Sequence, residues 1–126
     1  MTLNEEATQI QTFLEIHCSD NPVEIQDRLR MLAVYIARTG KMLADAKKLL
    51  NQRKTLEIKN SIMELATEYH LSANVQNTLL KSICVEELYL VDWLDRLNAT
   101  CVHQSASLIT LLSYAKEELR LSKTGY

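Results

Sequence analysis

Apolar residues recur along most of this chain at alternating spacings of three and four, the period of a helix with one buried face. Leu3, Ala7, Ile10, Leu14 and His17 form the first line, and Ile25, Leu29, Leu32, Ile36, Thr39, Leu43, Ala46 and Leu50 the second. Met31, Tyr35, Met42 and Leu49 flank the second line. They widen its apolar arc and predict contact with two neighbouring helices. Ile58, Ile62, Leu65 and Tyr69 make a third line. From Leu80 the alternation runs through Ile83, Glu87, Leu90, Leu94, Leu97, Cys101, Gln104, Leu108, Leu111 and Ala115.

Local signals divide these lines into helices over 3–17, 22–52, 55–70, 73–85 and 87–121. Thr2 and Glu5 have the spacing of a capping box, and the run "HCSDNP" ends the first helix because a proline pushes its predecessor out of helical geometry. Asn21 is a favoured N-cap, Pro22 suits the first helical position, and Glu24 completes a box-like arrangement. "NQRKT" holds no apolar residue and predicts a kink or short turn near 51–56. Ser72 caps the next element. Neither Gly nor Pro occurs from Ala73 to Leu121. One helix over that span would be roughly 70 Å long, against a radius of gyration of about 14 Å for a compact domain of this size. A break near 83–87 is therefore expected, with the tail 122–126 fraying. The predicted fold is all-α: one domain over residues 1–126, an elongated bundle of three to five helices with coiled-coil-like seams.

Composition agrees with that reading. Two glycines and one proline in 126 residues leave few turn formers. One Phe and one Trp make the core mainly aliphatic. Three widely spaced cysteines, Cys18, Cys84 and Cys101, predict reduced thiols. The opening "MTLNEEATQI" lacks the basic and apolar regions of a secretory leader, and no stretch approaches the roughly 18 apolar residues of a membrane span. A cytoplasmic location without membrane contact is the expectation.

Charge is unevenly spread although the net is only −2. Residues 1–27 hold six acids and no Lys or Arg, whereas residues 28–59 hold nine bases against Asp45 and Glu57. On a helical wheel Arg30, Lys41 and Lys48 nearly eclipse, with Arg38 beside them, opposite the Ile25–Leu50 line. Such a stripe could meet nucleic-acid phosphates. Against this stand the absence of interleaved aromatics and the acidic first helix, which could pack beside the stripe and neutralise it.

The stretch "LNATCVHQSAS" at 97–107 concentrates reactive residue types. Cys101 and His103 lie about 200° apart on a helix and cannot share a ligand. No E-x-x-H or H-E-x-x-H occurs for a di-iron or zinc site, and two glycines exclude a phosphate-cradling loop. No catalytic residue, metal site or cofactor is expected, and the chain does not read as an enzyme. The polar residues on the seams are more informative. Thr39, Gly40, Glu87, Cys101 and Gln104 form a candidate polar layer at helix interfaces, where leucine would stabilise more and a polar group can fix register. The small side chains at Thr39–Gly40 and at Ala99, Ser105, Ala106 and Ser107 would permit close helix approach. Gln104 is expected either to hydrogen-bond across an interface, within the chain or between copies, or to be a partly solvated amide at the end of the core.

The stretches "RLRMLAVYIARTGKMLADAKKLL" and "DRLNATCVHQSASLITLLSYAKEELRL" resemble a group of small helical proteins of bacteriophages and mobile elements of gut bacteria. Arg96-Leu97-Asn98, His103-Gln104 and Leu111-Leu112-Ser113 carry the resemblance, which covers roughly 50 of the 126 residues. It implies a phage or prophage origin and no known activity, so it assigns no catalytic or binding residue. The function expected is non-enzymatic: a helical accessory protein acting through helix–helix contacts, as a homo-oligomer or with a protein partner. The alternative is a nucleic-acid-associated factor using Arg30, Arg38, Lys41 and Lys48.

Overall fold

The computed structural model describes residues 1–123, and among these the fold is an all-α helical bundle without strands. The order is α1 (Leu3–Glu15), α2 (Pro22–Glu57), a π-helical segment (Ile58–Ile62), α3 (Met63–Tyr69), α4 (Ala73–Ile83) and α5 (Val85–Lys123). The expected frayed tail is helical through Lys123, and residues 124–126 lie outside the described residues.

Helix starts follow their capping chemistry. The Thr2 hydroxyl accepts from the Glu5 backbone N–H at 3.1 Å, and the Glu5 carboxylate accepts from the Thr2 N–H at 3.1 Å, a complete capping box. The Asn21 side chain accepts from Val23 N–H at 2.9 Å, and the Ser72 hydroxyl accepts from Val75 N–H at 3.3 Å. Glu24 does not close a box directly. The Asn21 N–H donates to the Ser19 hydroxyl at 3.3 Å, and Ser19 in turn donates to Glu24. A serine two residues before the cap therefore relays the bond. α1 ends two residues before its expected end, at Glu15, and leaves His17 exposed.

The helix beginning at Pro22 does not kink at 51–56 as expected; α-helix continues to Glu57 and then widens into the π segment. There the Met63 N–H reaches back five residues to the Ile58 carbonyl, and the Ser61 hydroxyl donates to the Glu57 carboxylate at 2.6 Å. A π turn takes up an extra residue and rotates everything after it. The apolar line Ile58, Ile62, Leu65, Tyr69 is broken accordingly. Ile62 is buried and Ala66 half-buried, while Ile58, Leu65 and Tyr69 are exposed. α3 ends at His70, whose left-handed backbone (φ 54°, ψ 47°) lets the N–H groups of His70 and Leu71 return to the Ala66 carbonyl. The break between the last two helices falls at Cys84, inside the expected 83–87 window.

The chain forms two compact units, one of residues 1–40 and 95–126, the other of residues 41–94. In the first, α1 packs with the opening part of α2 and the closing part of α5 around Ala7, Ile10, Leu14, Ile25, Leu32, Leu97, Cys101 and Leu108. In the second, Leu50, Ile62, Leu80 and Cys84 form a core cluster, joined by partly buried Leu79, Ile83, Leu88 and Val91. The buried line of α2 runs through Ile25, Arg28, Leu32, Thr39, Met42, Ala46 and Leu50. It is rotated slightly from the expected one: Leu29, Ile36 and Leu43 are only half-buried, while Met31 and Leu49 of the flanking stripe are exposed. The wide arc predicted for two neighbours is narrower than the apolar residues implied.

No helix among the described residues is long and apolar enough to cross a membrane.

Candidate functional site

The polar seam residues do not form one layer. Cys101 is fully buried in the first unit, and its thiol is pushed above the ordinary range by burial, so it packs as a small hydrophobe. Thr39 is also fully buried. Its hydroxyl donates to the Tyr35 carbonyl at 2.6 Å, and the Asn98 side-chain amide donates to Thr39 Oγ1 and to the Ile36 carbonyl, each at 3.0 Å. Asn98 thus reaches from α5 into the carbonyl groups of α2. A mid-helix threonine bonded back to a carbonyl four residues earlier would normally sit idle in the interior; here its oxygen lone pair is what α5 reads.

Gly40 has a different role from the one expected. It is exposed, and a Cβ placed on it would meet Asn98 Nδ2 at 3.9 Å, an ordinary van der Waals distance. Close helix approach does not depend on it. Glu87 belongs to the second unit, half-buried, with its carboxylate 3.6 Å from Arg53 Nη1. Arg53 also pairs with Glu57 at 3.2 Å. Glu87 is therefore a charged tie between α5 and α2, separate from the neutral contacts of Thr39 and Gln104.

Gln104 makes the most elaborate contact, and makes it within the chain. Its Nε2 donates to the Leu14 carbonyl at 2.9 Å, and its Oε1 accepts from Arg28 Nη2 at 3.0 Å. Arg28 Nη2 also reaches the Leu14 carbonyl, at 3.4 Å. α1 has no basic residue in its last turn, so its terminal carbonyls and the negative end of its dipole are met by a guanidinium from α2 and an amide from α5. The guanidinium carbon lies 4.0 Å from the Phe13 ring centroid, a cation–π contact. Phe13 in turn meets Tyr35 edge-on, with centroids 5.0 Å apart. Arg28 is 9 % exposed and its Nε has no hydrogen-bond partner.

Beside this clamp lies a cavity of about 470 Å³, lined by the Leu14–Cys18 segment, Arg28, and α5 residues from His103 to Leu108. His103 reaches it as an exposed side chain, away from buried Cys101, as the helical angle requires. No group of three or more His, Cys, Asp or Glu side chains placed to hold a metal ion occurs among the described residues.

The cationic stripe is largely neutralised by neighbours. Arg38 donates to Glu6 of α1 through Nε at 2.5 Å and Nη2 at 2.7 Å, and that bond holds the Glu6 carboxyl below its ordinary range. Arg30 pairs with Asp27 at 3.4 Å and Lys41 with Asp45 at 2.8 Å. Lys48 alone of the four has no ion pair among the described residues. The acidic first helix does pack beside the stripe.

Arg28 and Asn98 were not among the site residues expected from the sequence. A signal for Arg28 existed: it lies three residues after Ile25 and four before Leu32, on the buried line itself. Comparison with protein-family models, curated proteins and solved structures finds no match to this chain.

Proposed function

We propose that this chain is a non-enzymatic helical accessory protein that works by pairing with a second copy of itself. The observation that carries the reading is a pair of exposed leucines at heptad spacing on the second unit, ahead of the π segment. Leu49 and Leu56 stand seven residues apart on α2 and are 49 % and 52 % exposed. Seven-residue spacing keeps apolar side chains along one side of a helix and is the repeat of helix–helix seams. A second copy presents the same two leucines, so the face is self-complementary and suits an isologous pair.

A contact of two short helical faces buries less than the roughly 800 Å² per partner of a standard interface. Association is therefore weak and concentration-dependent. The nucleic-acid reading has less support because Arg30, Arg38 and Lys41 are engaged by carboxylates.

Sedimentation mass measured across a concentration series tests the proposal. The mass rises from 14.4 kDa toward twice that value as concentration increases. Leu56→Glu holds the protein monomeric, and Leu49→Glu does the same. A mass fixed at that of one chain at every concentration overturns the reading, as does a Leu56→Glu variant whose mass rises as the wild type's does.

A further inference from the structure

We infer that the cavity beside Arg28 is a binding site for a small carboxylate with a short apolar body. The first ground is the state of Arg28. A guanidinium removed from water needs an anion or a full set of acceptors. The bonds the chain supplies both leave Nη2 and both end on neutral oxygens, Gln104 Oε1 and the Leu14 carbonyl, while Nε has no partner. The acids nearby are committed elsewhere. Glu15 accepts from Gln11 at 2.8 Å, Glu24 accepts from Ser19, and Asp27 pairs with Arg30. Among the described residues no carboxylate stands within ion-pair distance of Arg28.

The second ground is the cavity itself. It holds about 470 Å³, ample for a ligand of small-metabolite size. Leu14, Ile16 and Leu108 give it apolar wall, while Gln104, Ser107 and His103 supply polar groups. Arg28 lines this cavity and also a second depression of about 280 Å³ across the Cys18 segment. A guanidinium fork pairs with carboxylate and phosphate alike, but Glu15 among the lining residues disfavours the second negative charge of a phosphate. The recognition chemistry is thus a monoanion held by Arg28 with hydroxyl and amide support, its hydrocarbon against Leu14, Ile16 and Leu108.

Titration of the full chain with hexanoate, hexanamide and inorganic phosphate, followed by backbone amide NMR, tests the site. Hexanoate saturates, and its shifts concentrate at residues 14–18, 28 and 103–108. Hexanamide, matched in size but uncharged, binds at least tenfold more weakly, and phosphate does not saturate. Ser107→Phe, which fills the cavity and leaves Arg28 in place, lowers hexanoate affinity at least tenfold. A tripeptide with a free C-terminal carboxylate, run beside its amidated form, distinguishes a chain terminus from a free acid as the natural source. Binding of either acid above its neutral analogue supports the site. Equal binding of hexanoate and hexanamide overturns it, as does saturation by phosphate alone or no saturation by any acid.

Discussion

Arg28 and Gln104, 76 positions apart in the chain, meet at 3.0 Å over the last turn of α1, where both also reach the Leu14 carbonyl. Three helices are tied at one point by a charge-assisted bond. Removing one member leaves the other's desolvated group without its partner, which is costlier than removing both. Gln104→Leu is expected to destabilise the protein by about 2 kcal/mol, because it strips a buried cation of the nearer of its two acceptors. Arg28→Met combined with Gln104→Leu should lose about 1–2 kcal/mol less than the sum of the two single changes. Urea denaturation of the four proteins measures this coupling. Additive losses would show that the two side chains stabilise independently. Because the bond lies within one chain, Gln104→Leu leaves the solution mass at any given concentration unchanged.

Gly40 sits inside α2 with helical geometry on both sides and no contact that excludes a methyl group. Glycine in a helix interior costs roughly 1 kcal/mol relative to alanine, through the backbone freedom it loses on folding. Gly40→Ala should therefore raise stability by about that amount, seen as a higher urea midpoint with an unchanged slope. A loss of stability would mean that α5 approaches Gly40 more closely than the 3.9 Å to Asn98 implies.

The seam that runs from Leu80 of α4 to Leu108 of α5 was legible in the sequence, because a helix that buries one stripe must repeat it every three or four residues. Leu80, Leu90, Leu94, Leu97, Cys101 and Leu108 are buried in that order. Two features escaped for physical reasons. Arg28 lies on the buried line of α2, but a charged residue there has a place only once Leu14, Gln104 and Phe13 surround it, and those partners come from distant parts of the chain. The π segment leaves no Gly or Pro as a mark, so its one-residue slip shows only in which side chains are buried after Ile62, with Ala66 half-buried and Leu65 and Tyr69 exposed. The same limit applies to the polar layer. Period places Thr39 and Gln104 on seams, but whether Asn98 or Arg28 answers them depends on how α1, α2 and α5 pack.

Glu6 and Arg38 join α1 to α2 through two hydrogen bonds, and the pair is partly exposed, with side-chain exposures of 22 % and 42 %. Its worth is accordingly that of a surface pair, up to about 1 kcal/mol. The hydrogen bond from Arg38 holds the Glu6 carboxyl below its ordinary value. A carboxyl depressed on folding binds protons more weakly in the native state than in the unfolded one. Its contribution is full above the ordinary carboxylate value of about 4.3 and is lost as pH falls through the lower native value. Glu6→Gln should therefore cost stability at pH 7 and nothing at pH 2. Denaturation midpoints of wild type and variant across that range should converge on acidification. A gap that persists unchanged at pH 2 would assign the effect to packing rather than charge.

Cys84 and Cys101 are both fully buried, and burial raises both thiols above their ordinary range, whereas Cys18 is only half-buried in the segment between α1 and α2. Thiolate is the reactive form, so a thiol that is both buried and raised is protected twice over. At pH 8 a chromogenic disulfide reagent should titrate Cys18 in the folded protein and all three cysteines once denaturant is added. The two buried thiols should react at a rate that tracks unfolding, slowing in variants that stabilise the fold such as Gly40→Ala and quickening in Gln104→Leu. Cys101 lies in the first unit and Cys84 in the second. Comparing their rates by mass spectrometry reports whether the two units open together or separately. Rapid labelling of Cys101 in the native protein would contradict its place in the core and reopen the question of a reactive thiol in the 97–107 stretch.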